Sequence, residues 1–172
     1  MTFATAQEAI SALANVGSTQ AEIIAFVEQL SVDASGSTTV LYSGDISGTA
    51  AWRIVEDMGG DVRHIGKTMM AEVLNSNEFT AKVAQTFGYQ SIQDFLDAPN
   101  DSPAKRWLNK GGTGPWAVAS EKFVEATTGN VRILTLSPAA DSVLFNNEIP
   151  KLLDKLQNSN SITSIDGFSR AD

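Results

Sequence analysis

Apolar residues along the chain fall into short runs, some spaced for helices and some continuous enough for strands. Residues 5–34 predict two helices. In the second, Thr19-Gln20-Ala21-Glu22 has capping-box spacing ahead of Ile23, Val27 and Leu30, which share one face. Ala34-Ser35-Gly36-Ser37 is a turn. Thr38 to Tyr42 is β-branched and apolar and predicts a buried strand, ended by Ser43-Gly44-Asp45. Residues 48–58 predict a helix with Trp52 and Val55 inward, stopped by Gly59-Gly60. Val62 to Ile65 predicts a second short strand. Helices follow over 67–75 and 78–87, with Gly88 where a left-handed residue closes a helix. Short amphipathic helices over 91–97 and 103–109 flank Pro99-Asn100, and Gly111 to Pro115 is a flexible break. A helix from Trp116 to Thr127 places Trp116, Ser120, Phe123 and Thr127 on one face, and Gly129 ends it. Val131 to Leu136 predicts a strand, Pro138 to Phe145 a loop, and 150–157 a helix with Pro150 in its first turn. Ser161 to Ile165 predicts a last strand and 167–172 a frayed tail.

Helices first, then strands alternating with helices, predict an α/β fold. The expected architecture is a helical N-terminal part plus a small, mostly parallel sheet flanked by helices. It forms a single domain over 1–172, with N-terminal helices over 1–36, a core over 37–166 and a tail over 167–172. A chain of 172 residues is long enough to bury a real core.

Charge and cysteine content narrow the function classes. The formal net charge of -8 disfavours nucleic-acid phosphates as partners. No apolar stretch approaches the ~20 residues of a membrane-spanning helix, so membrane insertion is not expected. Met1 to Ile10 has no basic n-region or apolar h-region, so no conventional signal peptide is expected. Localisation stays open. With no cysteine, disulfides, thiolate catalysis and cysteine metal sites are all excluded.

Several motifs fall short of their chemistry. Gly66-Lys67-Thr68 looks like the tail of a phosphate-binding P-loop, but five residues separate Gly60 from Gly66 where that loop needs four. His64 is the only histidine, without a Gly-x-Ser-x-Gly elbow, and reads as structural. A metal site is not expected, since no second histidine exists. What remains is a carboxylate among aromatics. Tyr42 ends a strand, and in open α/β sheets that edge binds ligands. Trp116 starts a helix beside a glycine-rich break. Glu148 stands at the expected start of the 150–157 helix, where the dipole is expected to keep it ionised.

Three segments, in order, resemble the ADP-ribosyl cyclase / NAD glycohydrolase family. Val40-Leu41-Tyr42-Ser43-Gly44 is similar to its aromatic-Trp-Ser-Gly strand end. Trp116 to Ala126, running through Gly129 into Val131-Arg132-Ile133-Leu134, is similar to its Trp, Ser four residues on, aromatic, Ala and strand. Asn147-Glu148-Ile149-Pro150 is similar to its catalytic Glu with a following apolar residue and Pro. The likeness extends loosely from residue 38 to 165. There are departures. Tyr42 replaces the family's first Trp, and Ile65-Gly66-Lys67-Thr68 falls where the family has acidic Thr-Leu-Glu-Asp. The lack of cysteines differs from the disulfide-rich animal members and points to a bacterial, toxin-like branch.

The resemblance implies an NAD(P) glycohydrolase that releases nicotinamide and ADP-ribose, with NAD or NADP as substrate and no further cofactor. Glu148 and Trp116 become the expected catalytic residues. Tyr42, Ser43, Gly44, Ser120, Phe145, Lys67 and Thr68 become the expected substrate-binding residues. The family also implies a toxin or effector domain, delivered into a target cell and met by a cognate immunity protein. The residues leave open an ADP-ribosyl cyclase, a mono-ADP-ribosyltransferase, although no Glu-x-Glu pair is present, and a non-catalytic interaction domain.

Overall fold

Strand β1 (Thr38–Tyr42) has no polar face to present to water: Thr39, Val40 and Leu41 are all buried. A strand of this kind belongs inside a parallel sheet, covered on both faces. In the computed structural model, which describes residues 3–42, 57, 61–135, 139–165 and 168–169, β1 pairs in parallel on both sides. Its neighbours are β2 (Val62–Arg63) and β3 (Gly129–Leu134), in register Thr38 with Val62 and Tyr42 with Leu134. β4 (Ile162–Ile165) lies parallel beside β3, and β5 (Phe168–Ser169) returns antiparallel. The strand order is β2-β1-β3-β4-β5. The expected strands are present, but β2 ends at Arg63 because Ile65 enters a 3₁₀ turn, and β3 begins at Gly129, two residues before the expected start. The expected frayed tail is corrected at Phe168–Ser169, where ladder bonds to Ser164 and Ile165 order the chain. The expected helix over 48–58 lies outside the described residues except Asp57, which is helical.

Besides Asp57, eight α-helices surround the sheet among the described residues: α1 (Ala6–Ala12), α2 (Gln20–Val27), α3 (Met69–Leu74), α4 (Asn77–Thr86), α5 (Ile92–Asp97), α6 (Pro103–Asn109), α7 (Pro115–Glu125) and α8 (Ile149–Asn158). The first six all begin on a hydroxyl. Thr5, Thr19, Thr68, Ser76, Ser91 and Ser102 each accept a backbone N–H of the first turn. Each such cap contributes ~1 kcal/mol. The cap at Thr68 starts α3 two residues later than the pattern suggests, because Ile65–Lys67 forms a separate 3₁₀ turn.

Lysines close several helix ends from neighbouring elements. Lys105 Nζ donates to Leu96 O and Ala98 O at the end of α5, at 2.6 Å each. Lys122 reaches Glu28 O and Leu30 O beyond α2, and Lys155 reaches Glu125 O and Thr127 O at the end of α7. Lys82 donates to Val16 O at 2.7 Å. A cation at a helix C-terminus opposes the helix dipole and satisfies carbonyls that have no partner within the helix. Arg63 works from the sheet: it donates to Thr127 Oγ1 at 2.8 Å and lies 3.9 Å above the Phe123 ring.

A single apolar cluster joins Ala9, Leu13, Ile23 and Phe26 of the N-terminal segment to Leu41, Phe123, Val131 and Ile162. The first helices therefore share one core with the sheet. Val40 and Val62 form a second, smaller cluster, with Tyr42 and Leu134 packed against it. Alternation along β1 thus sends Leu41 to the main core and Tyr42 to the opposite face. No helix of the described residues is long and apolar enough to cross a membrane.

Candidate active site

From β1 the chain turns to β2 on one side and later crosses to β3 on the other. The carboxyl ends of β1 and β3 therefore border a crevice where the sheet's winding reverses, the usual ligand position in such sheets. Tyr42 stands there. A cleft of about 590 Å³ opens beside it, lined by Tyr42, Ile65, Gly66, Lys67, Thr68 and Trp116, with Ala71, Glu72 and Asn75 of α3 and its cap. The size suits a small organic ligand. Four of the expected site residues, Tyr42, Lys67, Thr68 and Trp116, meet in this one cleft although 74 positions separate the outermost two.

Trp116 reaches the cleft because α7 begins one residue earlier, at Pro115, preset for a first helical turn. Gly114 precedes it, and a Cβ there would lie 1.6 Å from Trp107 O. Only glycine lets α6 and α7 approach so closely. Ser120, one turn beyond Trp116, is buried, and its hydroxyl is near enough to the Glu148 carboxyl to lower its pKa.

Glu148 departs from the sequence reading. It is not at a helix start. The helix begins near Val143, where Ser142 Oγ accepts the Phe145 N–H at 3.2 Å, and passes through a π-helical turn, Leu144–Glu148, directly into α8. The expected loop over 138–145 is thus helical in its last residues. The wide turn has a physical cause. Pro150 has no N–H, and its ring would strike the carbonyl four residues back in a regular helix. Ile149 N–H bonds Leu144 O instead, five residues back, which opens the turn. Leu144, Asn147 and Glu148 all face inward as a result.

The expected ionisation of Glu148 is corrected too. Its carboxyl is buried, and burial pushes its pKa up to about 8, with the Ser120 hydroxyl pulling the other way. Tyr42, next to it, is pushed up to about 12, mainly by its own burial and further by the Glu148 charge. Neither Glu148 nor Ser120 lines the cleft; Glu148 is linked to it by the effect of its charge on Tyr42. A buried carboxyl with a raised pKa close to a cleft residue is a common mark of a functional site.

The remaining expected residues divide. Lys67 lines the cleft while its Nζ donates to Val62 O at 2.7 Å. Thr68 Oγ1 donates to Ile65 O and accepts from Ala71 N. Gly66 N–H is donated to His64 Nδ1 at 3.2 Å, so the Gly66-Lys67-Thr68 segment is folded on itself and not open as a phosphate cradle. His64 is fully buried, 6.1 Å from the Tyr42 ring, and serves the structural part expected of it. Phe145 is 53% exposed and is not brought into the cleft, since the inward face of the π turn belongs to its neighbours. Ser43 and Gly44 lie outside the described residues. Glu72, Asn75 and Asn147 were not singled out from the sequence. The first two were within reach, because 68, 71, 72 and 75 follow helical spacing from Thr68.

No protein-family model matches this chain, and no curated protein or solved structure matches it either.

Proposed function

We propose that the protein hydrolyses the nicotinamide–ribose bond of NAD or NADP. The observation that carries this reading is one buried carboxyl, Glu148, whose charge acts on Tyr42 in the wall of a cleft that Trp116 also lines. The bond between ribose C1′ and the pyridinium nitrogen breaks with its electron pair going to nitrogen. Nicotinamide then leaves neutral and needs no general acid. The ribose left behind is oxocarbenium-like and requires a fixed negative charge. Trp116 and Tyr42 suit the flat, cationic pyridinium, at about 0.5–2 kcal/mol per cation–π contact.

The raised pKa of Glu148 fits this chemistry in a particular way. In the free protein burial favours the protonated carboxyl. A bound pyridinium favours the carboxylate, so substrate binding expels the proton. The carboxylate then faces the ribose cation in a site with little water to screen it. It can next take a proton from the water that attacks C1′, which gives ADP-ribose. In the resembling family the acidic Thr-Leu-Glu-Asp segment helps set the partition between cyclisation and hydrolysis. Its counterpart here is folded around Lys67 and Thr68, so cyclic ADP-ribose is at most a minor product.

Purified protein is incubated with NAD and with NADP, and the products are separated by chromatography. Free nicotinamide with ADP-ribose or its phosphate is expected. Absence of nicotinamide release from both dinucleotides defeats the proposal. A majority of cyclic product defeats the hydrolase assignment alone.

A further inference from the structure

Asn147 immediately precedes Glu148 and is 5% exposed. Its side-chain amide has two hydrogens, and both are used. Nδ2 donates to Gly112 O at 2.9 Å and to Glu121 Oε1 at 2.7 Å. Its oxygen accepts Gly112 N–H at 2.9 Å. The pair with Gly112 is reciprocal, like a rung of a β-ladder. Flipping the amide would turn its oxygen toward a carbonyl and a carboxylate, so the orientation is fixed by its partners. These bonds tie together three parts of the candidate site: the π-helical turn with Glu148, the glycine-rich loop that leads into Trp116, and the helix α7 that carries Ser120. The loop is held close on the same side. Gly111 N–H donates to Asp141 O at 2.8 Å, and a Cβ on Gly111 would lie 2.6 Å from Asn146 Cβ.

We propose that Asn147 is a positioning residue that sets Glu148 against Trp116 and Ser120 by clamping Gly112 and Glu121 onto the π-helical turn. This rests on the NAD-cleaving role proposed above. Asn147 acts through its neighbours and does not touch substrate. Its loss therefore misplaces a charge that is used chiefly in the transition state. Errors of about 1 Å in such placements cost up to ~100-fold in rate.

The test compares steady-state kinetics with NAD for wild type, Asn147→Ala, Asn147→Asp and Asn147→Asp/Glu121→Gln, each normalised to folded protein by circular dichroism. Asn147→Ala and Asn147→Asp are expected to lose ~10-fold or more in kcat, with KM within ~3-fold of wild type. In the double variant the amide introduced on α7 donates to the carboxylate introduced on the π-helical turn, restoring the bond with reversed polarity. It is expected to recover ~3-fold or more of the kcat lost by Asn147→Asp. Glu121→Gln placed on Asn147→Ala is expected to recover nothing. If Asn147→Ala does not fold, the Asn147→Asp series alone decides. Unchanged kcat in the single variants, a loss confined to KM, or absence of rescue overturns the role of Asn147 while leaving the NAD-cleaving reading intact. Wild type that leaves NAD uncut overturns both.

Discussion

Glu148 is placed where its protonation has opposite consequences for stability and for catalysis. Its ordinary pKa is 4.5 and its folded value about 8, so the native state holds an extra proton between those values. Unfolding free energy therefore falls as pH rises from about 4.5 to about 8 and is flat on either side of that window with respect to this group. Glu148→Gln removes the ionisation. At pH 9 the variant is expected to melt ~5 °C or more above wild type, and near pH 4 the two should coincide. Thermal melts across pH check this, and a constant difference between the variants would contradict it. Catalysis runs the other way. Wild-type kcat/KM for NAD is expected to rise with pH through about 8, because that parameter reports the free protein. Turnover by Glu148→Gln should fall ~100-fold or more. A variant more stable and inactive under the same alkaline conditions marks a functional carboxyl. Trp116 allows a similar separation. Trp116→Ala should lower turnover in the folded fraction, whereas a purely structural Trp would show its loss in the melting temperature, at about 3–5 kcal/mol.

Among the elements, local chemistry was the legible part. The capping-box spacing at Thr19 marked the start of α2, and Gly88, with φ of 79°, closes α4 as its position suggested. The run Thr38 to Tyr42 announced a buried strand because both of its faces are apolar or hydroxyl-bearing. Tyr42, Trp116, Lys67 and Thr68 were legible as candidates and line one cleft, although what brings them together is the strand order, and that is a property of long-range pairing. The π-helical turn was not legible. Pro150 reads locally as a helix beginning, and only the packing of the turn against β1 and α7 shows that the helix continues through it. The buried state of Glu148 was missed for the same reason. This element offers its own test. Pro150→Ala restores an N–H and removes the ring, so a regular α-turn becomes favourable. That rotation would carry Glu148 away from Ser120. A fall in kcat of ~10-fold or more, with melting temperature unchanged or raised, is expected from kinetics and calorimetry on one preparation. At the other end of the site, Gly114→Ala must push α6 and α7 apart. A loss of ~2 kcal/mol or more in chemical denaturation is expected, in the range of overpacked cores.

For the whole molecule, the net charge of -8 sets the approach of ligands. NAD and NADP are themselves anionic, so encounter is opposed at low ionic strength. Raising salt from ~20 mM to ~200 mM shortens the screening length severalfold and is expected to increase kcat/KM modestly, with a larger gain for NADP. A decrease would show a local positive field that outweighs the total. The lysines that close helix ends have another consequence, for chemical labelling. An amine engaged with two backbone carbonyls is a poor nucleophile until the helix end frays. Lys105, Lys122 and Lys155 are each committed in this way, at the ends of α5, α2 and α7. The rate at which an acylating reagent takes each of them then reports how often that helix end opens. Lys155, reaching from α8 to the carbonyls that end α7, makes acylation a clock for the fraying of the far end of the helix that starts at the cleft.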